Sequence, residues 1–142
     1  PAIGMNVAAC TNDALDINDV AAFPGRLWII NDQIKYLSMP EFGASRHLAG
    51  VLLKARSFGS NATAILNLAL PKKFNKKIKT VAKNLDLITA FAPKSTPDNS
   101  SKDAQILIDE GDFGWVPTLY VLATNPIELI DRAHLIIDAL EG

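Results

Sequence analysis

Short apolar runs alternate with amphipathic stretches along most of the chain, and this alternation limits the folds open to it more than any other feature. Short apolar runs are typical of buried β-strands, whereas apolar residues repeated every three or four positions predict helices. The alternation therefore predicts an α/β fold. The predicted strands are Met5–Thr11, Gly25–Ile30, Gln33–Met39, Ala62–Leu70, Leu87–Ala92 and Thr118–Ala123, and the predicted helices are Ala44–Ser57, Lys72–Leu85 and a last helix that opens at Asn125.

Four other segments carry weaker signals. Asn31-Asp32 separates two predicted strands and indicates a hairpin. Asn12–Phe23 is polar and rich in Asp, which is typical of a loop or a short helical turn. Gln105–Ile108 is too short to distinguish a strand from a helical turn. Pro93–Asp103 is polar and has no pattern, so we expect a loop that is too short to separate two domains.

The composition fits a cytoplasmic protein with one domain over residues 1–142. A chain of 142 residues is long enough to form its own apolar core. Its formal charge of −1 gives no general attraction to nucleic acid or to a membrane surface, and no apolar run is long enough to span a membrane. The single cysteine, Cys10, excludes an internal disulfide and fits a reducing compartment. With one cysteine and two histidines, we expect no transition-metal site.

The segment Pro40–Ala49 predicts a tight loop that runs directly into a helix. Ser45 can cap that helix, and the free N–H groups at a helix N-terminus suit an anion such as phosphate. Arg46 adds a forked cation, and His47 adds a group for acid–base chemistry. The same residues are typical of an ordinary capped helix with a surface Arg and His, so the pattern alone leaves both interpretations open.

Two charged clusters also have a functional and a structural interpretation. Asp109, Glu110 and Asp112 could hold Mg²⁺ together with a substrate phosphate, but a turn between two strands explains them equally well. The six lysines from Lys72 to Lys83 lie opposite the apolar stripe of a predicted helix and have no aromatic platform among them. That arrangement favours a solvated helix face over a nucleic-acid surface.

Several motifs follow one another over nearly the whole chain, and the most specific is Phe-Gly-Ala-Ser-x-His-Leu-Ala at residues 42–49, combined with Pro-Gly-Arg at residues 24–26. In their sequence and their order these motifs resemble those of the archaeal thiamine-phosphate synthase (ThiN) family. The resemblance implies a three-layer α/β/α fold with a mixed, largely antiparallel sheet. The matching motifs are Met5-Asn6-Val7, Asp19–Arg26, Pro40–Ala49, Gly111–Pro117 and Val121-Leu122 followed by Asn125-Pro126.

The resemblance also implies a site. Enzymes of this family join hydroxymethylpyrimidine diphosphate to thiazole phosphate and produce thiamine phosphate and diphosphate. Arg26 and His47 match the two functional residues of the family and are the expected catalytic residues if this chain is an enzyme, with Mg²⁺ as the expected cofactor. The residues expected to bind thiamine phosphate or its phosphate group are Asn6, Arg26, Phe42, Gly43, Ala44, Ser45, His47, Asp112 and Gly114.

This sequence departs from the enzyme members in two places. The charged segment that follows the strand Leu87–Ala92 in those enzymes is reduced here to Pro93–Asp103. A position often filled by Glu is Val116, and Trp115 before it suits either stacking on a flat ring or anchoring the loop. Because release of diphosphate needs charged groups and metal-holding acids, these losses bear on catalysis before they bear on ligand binding.

Similar domains follow a helix-turn-helix segment in the related archaeal regulators of thiamine genes (ThiR), where they sense thiamine phosphate. The lost charges favour the hypothesis that this chain is the effector-binding domain of such a regulator, with no cofactor. Because the chain begins at Pro1 without Met, we expect a missing upstream domain that binds DNA, and a homodimer that matches a two-fold operator. The alternative is a thiamine-phosphate synthase.

Overall fold

This computed structural model describes residues 3–25, 27–30, 33–35, 39–112 and 116–142. Within these residues, nine strands form one sheet and three α-helices pack against it, which confirms the predicted α/β class. None of the helices in this part of the chain is both long and apolar enough to cross a membrane. The strands are Ile3–Cys10 (β1), Val20–Ala22 (β2), Leu27–Ile30 (β3), Gln33–Lys35 (β4), Glu41–Phe42 (β5), Ala64–Ala69 (β6), Thr89–Phe91 (β7), Ile106–Asp109 (β8) and Thr118–Ala123 (β9), and the helices are Arg46–Ser57 (α1), Lys77–Asn84 (α2) and Pro126–Glu141 (α3).

The sheet is mixed and largely antiparallel, as the resemblance implies. Seven strands follow in the order β4-β3-β1-β6-β9-β8-β7, while β2 pairs with the far end of β1 and carries β5 on its other edge. Among the described strands, β7 and β8 form the one parallel pair. Because parallel strands need a crossover, the chain between β7 and β8 must return to the end of the sheet at which β7 begins before β8 can start.

The two faces of the sheet carry separate apolar cores. On one face, Leu48 and Leu52 of α1 pack with Ile65 of β6. On the other face, Leu129 and Ile136 of α3 pack with residues of α2 and of the central strands. Full burial of a side chain of this size contributes about 1.5–3 kcal/mol. Helices on both faces give the three α/β/α layers that the resemblance implies.

The first and last helices begin where the sequence predicts a cap. Ser45 Oγ accepts the N–H of Leu48 at 3.2 Å, and Asn125 Oδ1 accepts the N–H of Glu128 at 2.8 Å. A cap of this kind contributes about 1 kcal/mol. Because Ser45 keeps an extended backbone, α1 begins one residue after it, slightly later than the predicted start at Ala44.

Two short strands lie where the sequence predicts a loop. Val20–Ala22 forms β2 inside Asn12–Phe23, for which we predicted a loop or a short helical turn and which also contains a 3-10 turn at Ile17–Asp19. Glu41–Phe42 forms β5 inside the predicted loop before α1. Strands of two or three residues are too short to show alternation; β2 forms because it pairs with β1, and β5 forms because it pairs with β2. Gln105–Ile108, which the pattern left open, contributes to strand β8.

The predicted hairpin is present as the antiparallel pair β3–β4, in which Ile30 faces Gln33. The turn at residues 31–32 lies outside the described residues. The strand predicted over Gln33–Met39 extends to Lys35 in the structure, and residues 36–38 also lie outside the described residues.

The single helix predicted over Lys72–Leu85 is wrong at its start. A 3-10 turn at Lys72–Phe74 comes first, and α2 begins only at Lys77. No side chain caps either piece. Because lysine charges are unfavourable at the positive end of a helix dipole, an uncapped lysine-rich segment is a poor place to begin an α-helix.

Gly43 and Gly50 form a matched pair that tests the backbone of the loop before α1. Gly43 has φ of +74°, and a Cβ there would lie 2.9 Å from Asn18 Oδ1, whereas a Cβ at Gly50 would meet nothing within 4 Å. We expect Gly43→Ala to lower the free energy of unfolding by about 1–2 kcal/mol. Gly50→Ala, inside α1, should raise it by about 0.5–1 kcal/mol. Urea unfolding measures both changes, and equal effects would contradict the left-handed backbone at Gly43.

Candidate functional site

A chain of hydrogen bonds converges on the hydroxyl of Tyr120 in β9. Tyr120 is fully buried, yet its Oη lies 2.6 Å from Nε2 of His47 and 2.5 Å from Oγ of Ser95. Ser95 in turn contacts Asp109, because its N–H and its hydroxyl both donate to Oδ2, over 2.9 Å and 3.3 Å. These contacts connect the exposed imidazole of His47 to the buried carboxylate of Asp109.

Strand register explains why these groups meet. Tyr120 pairs with Asn67 of β6 on one side and with Leu107 of β8 on the other. Side chains of directly opposed residues lie on the same face of a sheet, and Asp109, two residues after Leu107, lies on that face as well. Since α1 covers this face, its first turn brings His47 onto Tyr120.

Ser95 lies in a strained turn within the crossover from β7 to β8. Lys94 and Ser95 have φ values of +50° and +61°, which cost about 1–2 kcal/mol for a residue with a Cβ. Such strain persists only where surrounding contacts hold it, and it is common at functional sites. Here Asp109 holds the turn by accepting the N–H of Ser95, while its other oxygen accepts the N–H of Gly111 at 3.0 Å.

Asn6 of β1 holds the turn that leads to Arg26. Its Nδ2 donates to the carbonyl oxygens of Phe23 at 3.1 Å and Gly25 at 2.9 Å. Its backbone N–H donates to Oδ1 of Asn67 at 2.9 Å. Since both amide hydrogens of Asn6 have acceptors in the chain, the geometry supports a positioning role, and the direct ligand contact expected of Asn6 stays a prediction.

The expected phosphate loop has some of its donors engaged already. The N–H groups of Gly43 and Ala44 donate to backbone carbonyl oxygens at 3.0 Å and 3.4 Å. Donors that remain at this end of α1 include the N–H groups of Arg46 and His47, which have no intrahelical acceptor, the hydroxyl hydrogen of Ser45 and the exposed guanidinium of Arg46. An anion at this helix end would therefore contact the first turn rather than the loop before it.

The structure divides the predicted site residues into separate groups. Residues 42–45 and His47 lie next to one another at the N-terminus of α1, and Phe42 is 72% exposed there. Asp112 follows β8 and lines a cavity of about 340 Å³ that the buried Asp109 also borders. Three residues with predicted roles lie outside the described residues, namely Arg26, Gly114 and Trp115.

A larger cavity, of about 480 Å³, lies between α3 and the end of α2. Its lining includes Leu85, Ile127 and Leu135 and contains none of the predicted site residues. The smaller cavity is lined by one predicted site residue, Asp112, and His47 is not among the described residues that line either cavity.

The acidic residues at the end of β8 and directly after it take part in the contacts of a turn. The carboxylate of Asp109 accepts the N–H groups of Ser95 and Gly111, and Glu110 lies 3.5 Å from Nζ of Lys79. In the part of the chain that the structure describes, no three His, Cys, Asp or Glu side chains are grouped to hold a metal ion. Mg²⁺ in enzymes that act on phosphate groups is commonly held by one or two carboxylates together with the phosphates of the substrate.

Burial raises the pKa of Tyr120 above its ordinary value of 10.0; the hydrogen bond with Ser95 opposes this rise, and the charge of Asp109 adds to it. The variant Tyr36→Phe leaves Tyr120 as the one tyrosine, and its tyrosinate absorbance should appear with a midpoint above pH 10.0. The resulting contribution to the free energy of unfolding is complete below about pH 10 and is lost as the pH rises through the native pKa. A midpoint at or below pH 10.0 would contradict the buried phenol.

The sequence matches the family model described as thiamine-phosphate synthase ThiN over residues 1–134. The chain belongs to this family. It is 28% identical to the bifunctional thiamine biosynthesis protein ThiDN of Methanocaldococcus jannaschii, over 96% of this chain and 35% of that protein. It is 23% identical to the thiamine-phosphate synthase ThiN of Methanothermobacter thermautotrophicus, over 74% of this chain and 53% of that protein. This ThiN domain thus spans about a third and about half of the length of these two relatives.

Crystal structures of other proteins share the fold of this ThiN domain. The C-terminal domain of a phosphomethylpyrimidine kinase aligns with a TM-score of 0.76 and 22% identity, over 96% of this chain and 86% of that one. A second C-terminal domain aligns with a TM-score of 0.77 and 26% identity, over 99% of this chain and 84% of its own. Both support the α/β fold described above.

The sequence analysis missed two of the residues that meet at His47 and considered a third for another role. Tyr120 is a polar-tipped side chain in the otherwise apolar run of β9, and a buried tyrosine hydroxyl usually has a partner, so this signal was available. Ser95 lies in a loop with no pattern and carried no signal. Asp109 was considered as a metal ligand, whereas the structure places it beneath Ser95 as a hydrogen-bond acceptor.

Proposed function

We propose that this ThiN-family domain is a thiamine-phosphate synthase that joins hydroxymethylpyrimidine diphosphate to thiazole phosphate. The observation that carries the proposal is the family match over residues 1–134 in a chain that keeps both Arg26 and His47. One relative is named a thiamine-phosphate synthase and the other a bifunctional thiamine biosynthesis protein, and neither name is that of a regulator. These names support the enzyme over the effector-binding domain that the sequence favours.

The segment that favours the regulator hypothesis also takes part in the site. Pro93–Asp103 is short, but it supplies Ser95, which contacts both Tyr120 and Asp109. A segment held in a strained turn against the site has a use there although it is reduced relative to the enzyme members. Its reduction is therefore a weaker argument against catalysis than it is from the sequence alone.

The proposed reaction is a substitution at the methylene carbon of the pyrimidine. A bond forms between that carbon and the ring nitrogen of the thiazole, and the bond from the carbon to the diphosphate oxygen breaks. The electron pair of the broken bond leaves with the diphosphate, so negative charge grows there in the transition state. Donors placed at that charge lower the barrier. The guanidinium of Arg26 and the N–H groups at the start of α1 are suited to this task.

His47 is the hydrogen-bonding side chain that we assign to the proposed site. Its imidazole is exposed, so a substrate can reach it, and Tyr120 holds its Nε2 from the protein side. A histidine held in this way can accept or donate a hydrogen bond, or move a proton. We assign the Mg²⁺ expected of a synthase to the diphosphate substrate, because no three His, Cys, Asp or Glu side chains of the described residues are grouped to hold a metal ion.

A synthase assay on the purified chain tests the proposal. The purified chain is incubated with hydroxymethylpyrimidine diphosphate, thiazole phosphate and Mg²⁺. In the control reactions, each of the two substrates is omitted in turn. Thiamine phosphate is detected after oxidation to its fluorescent thiochrome derivative, and we expect many turnovers per chain. Binding of thiamine phosphate in calorimetry without any turnover would overturn the synthase and favour the effector-binding domain, for which a homodimer and an upstream DNA-binding domain should then be sought.

A further inference from the structure

We propose that Tyr120, Ser95 and Asp109 are positioning residues that fix the tautomer of His47, so that its neutral imidazole carries the hydrogen on Nε2 and offers Nδ1 as an acceptor. The catalytic use of this arrangement rests on the proposed synthase function. The tautomer itself is a property of the chain without substrate, so it can be tested separately.

The direction of each hydrogen bond follows from the acceptor at the buried end. Asp109 accepts an N–H on each oxygen, from Gly111 and from Ser95, which is the bonding of an ionised carboxylate that can only accept. Because a carboxylate cannot donate, the 3.3 Å contact between Ser95 Oγ and Asp109 is a hydrogen bond only when the hydroxyl of Ser95 donates, and we assign the hydrogen of Ser95 to it. With its hydrogen used, Ser95 Oγ accepts from Tyr120 over 2.5 Å. With its one hydrogen used in turn, Tyr120 Oη can only accept from His47, over 2.6 Å.

The groups in this chain of bonds have little freedom to change direction. Tyr120 is fully buried, so its hydroxyl has no bulk water to which it can turn. Ser95 is fixed by a second bond, from its N–H to Asp109, within the left-handed turn. The rings of His47 and Tyr120 are tilted by 43° with their centres 5.8 Å apart, which leaves the histidine ring edge directed at the phenol oxygen.

A fixed tautomer gives His47 one chemical use while it is neutral. Nδ1 can accept a hydrogen bond from the substrate, whereas Nε2 stays bonded to Tyr120. The carboxylate of Asp109 keeps the ring in this state through Ser95 and Tyr120. In the synthase, loss of this arrangement should lower kcat while leaving KM nearly unchanged, because it changes the state of His47 rather than the binding surface.

The tautomer is measured by two-dimensional proton–nitrogen NMR of the imidazole ring, on the tag-free chain without substrate. The pH is set well above the ordinary histidine pKa of about 6.5. His134→Gln serves as the parent, because the chain has two histidines and His134 is exposed on α3. We expect the Nε2–H tautomer in this parent. In Ser95→Ala, the Tyr120 hydroxyl loses its acceptor and turns to His47, so we expect the Nδ1–H tautomer.

Two further variants complete the test. Tyr120→Phe should remove the exchange-protected Nε2–H signal of His47, and it serves if Ser95→Ala fails to fold. Ser100→Ala is the control, since the hydroxyl of Ser100 donates to Asp98 at 2.5 Å outside the site, and it should keep the tautomer of the parent. An Nδ1–H tautomer in the parent, or an unchanged Nε2–H signal in both site variants, would overturn the proposal. The expected tautomers in a chain without turnover would instead count against the synthase function alone.

Discussion

Replacing His47 by Ala is expected to lower kcat/KM for thiamine phosphate formation by about 10²–10³-fold, the range that the loss of one positioned hydrogen-bonding group costs. The free energy of unfolding should change little, because the imidazole is exposed. Tyr120, which loses its contact with Nε2, keeps Ser95 as a partner. Steady-state kinetics with both substrates measures the first quantity, and urea unfolding measures the second.

The second histidine provides the control for this experiment. His134 is exposed on α3, on the other side of the sheet from α1, and His134→Ala should keep both activity and stability. A loss of activity in His47→Ala no larger than that in His134→Ala would contradict the placement of His47 in the active site.

Replacing Asp109 by Ala is expected to lower the free energy of unfolding by about 2–4 kcal/mol, since each buried N–H left without an acceptor costs about 1–3 kcal/mol. The carboxylate is 2% exposed and accepts the N–H groups of Ser95 and Gly111. Its removal also frees the strained turn at Lys94 and Ser95 from the contact that holds it. Equilibrium urea unfolding followed by circular dichroism measures the loss.

Two variants bracket this prediction. Asp109→Asn keeps one carbonyl oxygen as an acceptor and should lose less stability than Asp109→Ala. Glu110→Ala removes the next carboxylate along the chain, which is exposed and makes a single 3.5 Å ion pair with Lys79, so its effect should stay within about 0.5 kcal/mol. If Asp109→Ala and Glu110→Ala cost the same, the role of Asp109 in the turn is wrong.

Elements with their own periodicity or their own cap could be predicted from the sequence. The helices α1 and α3 begin beside the predicted caps Ser45 and Asn125, and the long strands β1, β6 and β9 overlap the predicted ones. The strands β2 and β5 could not be predicted, because segments of two or three residues are too short to show a periodic pattern. They form only by pairing with neighbouring strands. The late start of α2 depends on lysine charge at the helix end rather than on its apolar stripe.

The candidate site divides in the same way. Ser45 and His47 could be identified because their motif is contiguous in the sequence. Tyr120, Ser95 and Asp109 are separated in the chain and meet only through strand register and the crossover between β7 and β8, which a single sequence does not specify. Arg26 was assigned through family resemblance, and its role stays a prediction because it lies outside the described residues.

The synthase function is tested most directly by measuring both products that the unmodified chain forms from hydroxymethylpyrimidine diphosphate and thiazole phosphate. The substitution described above requires diphosphate and thiamine phosphate in equal amounts, and their sum should continue to grow well beyond one equivalent per chain. Thiamine phosphate that binds to the chain but is never formed by it, or diphosphate released without thiamine phosphate, would contradict the proposed function.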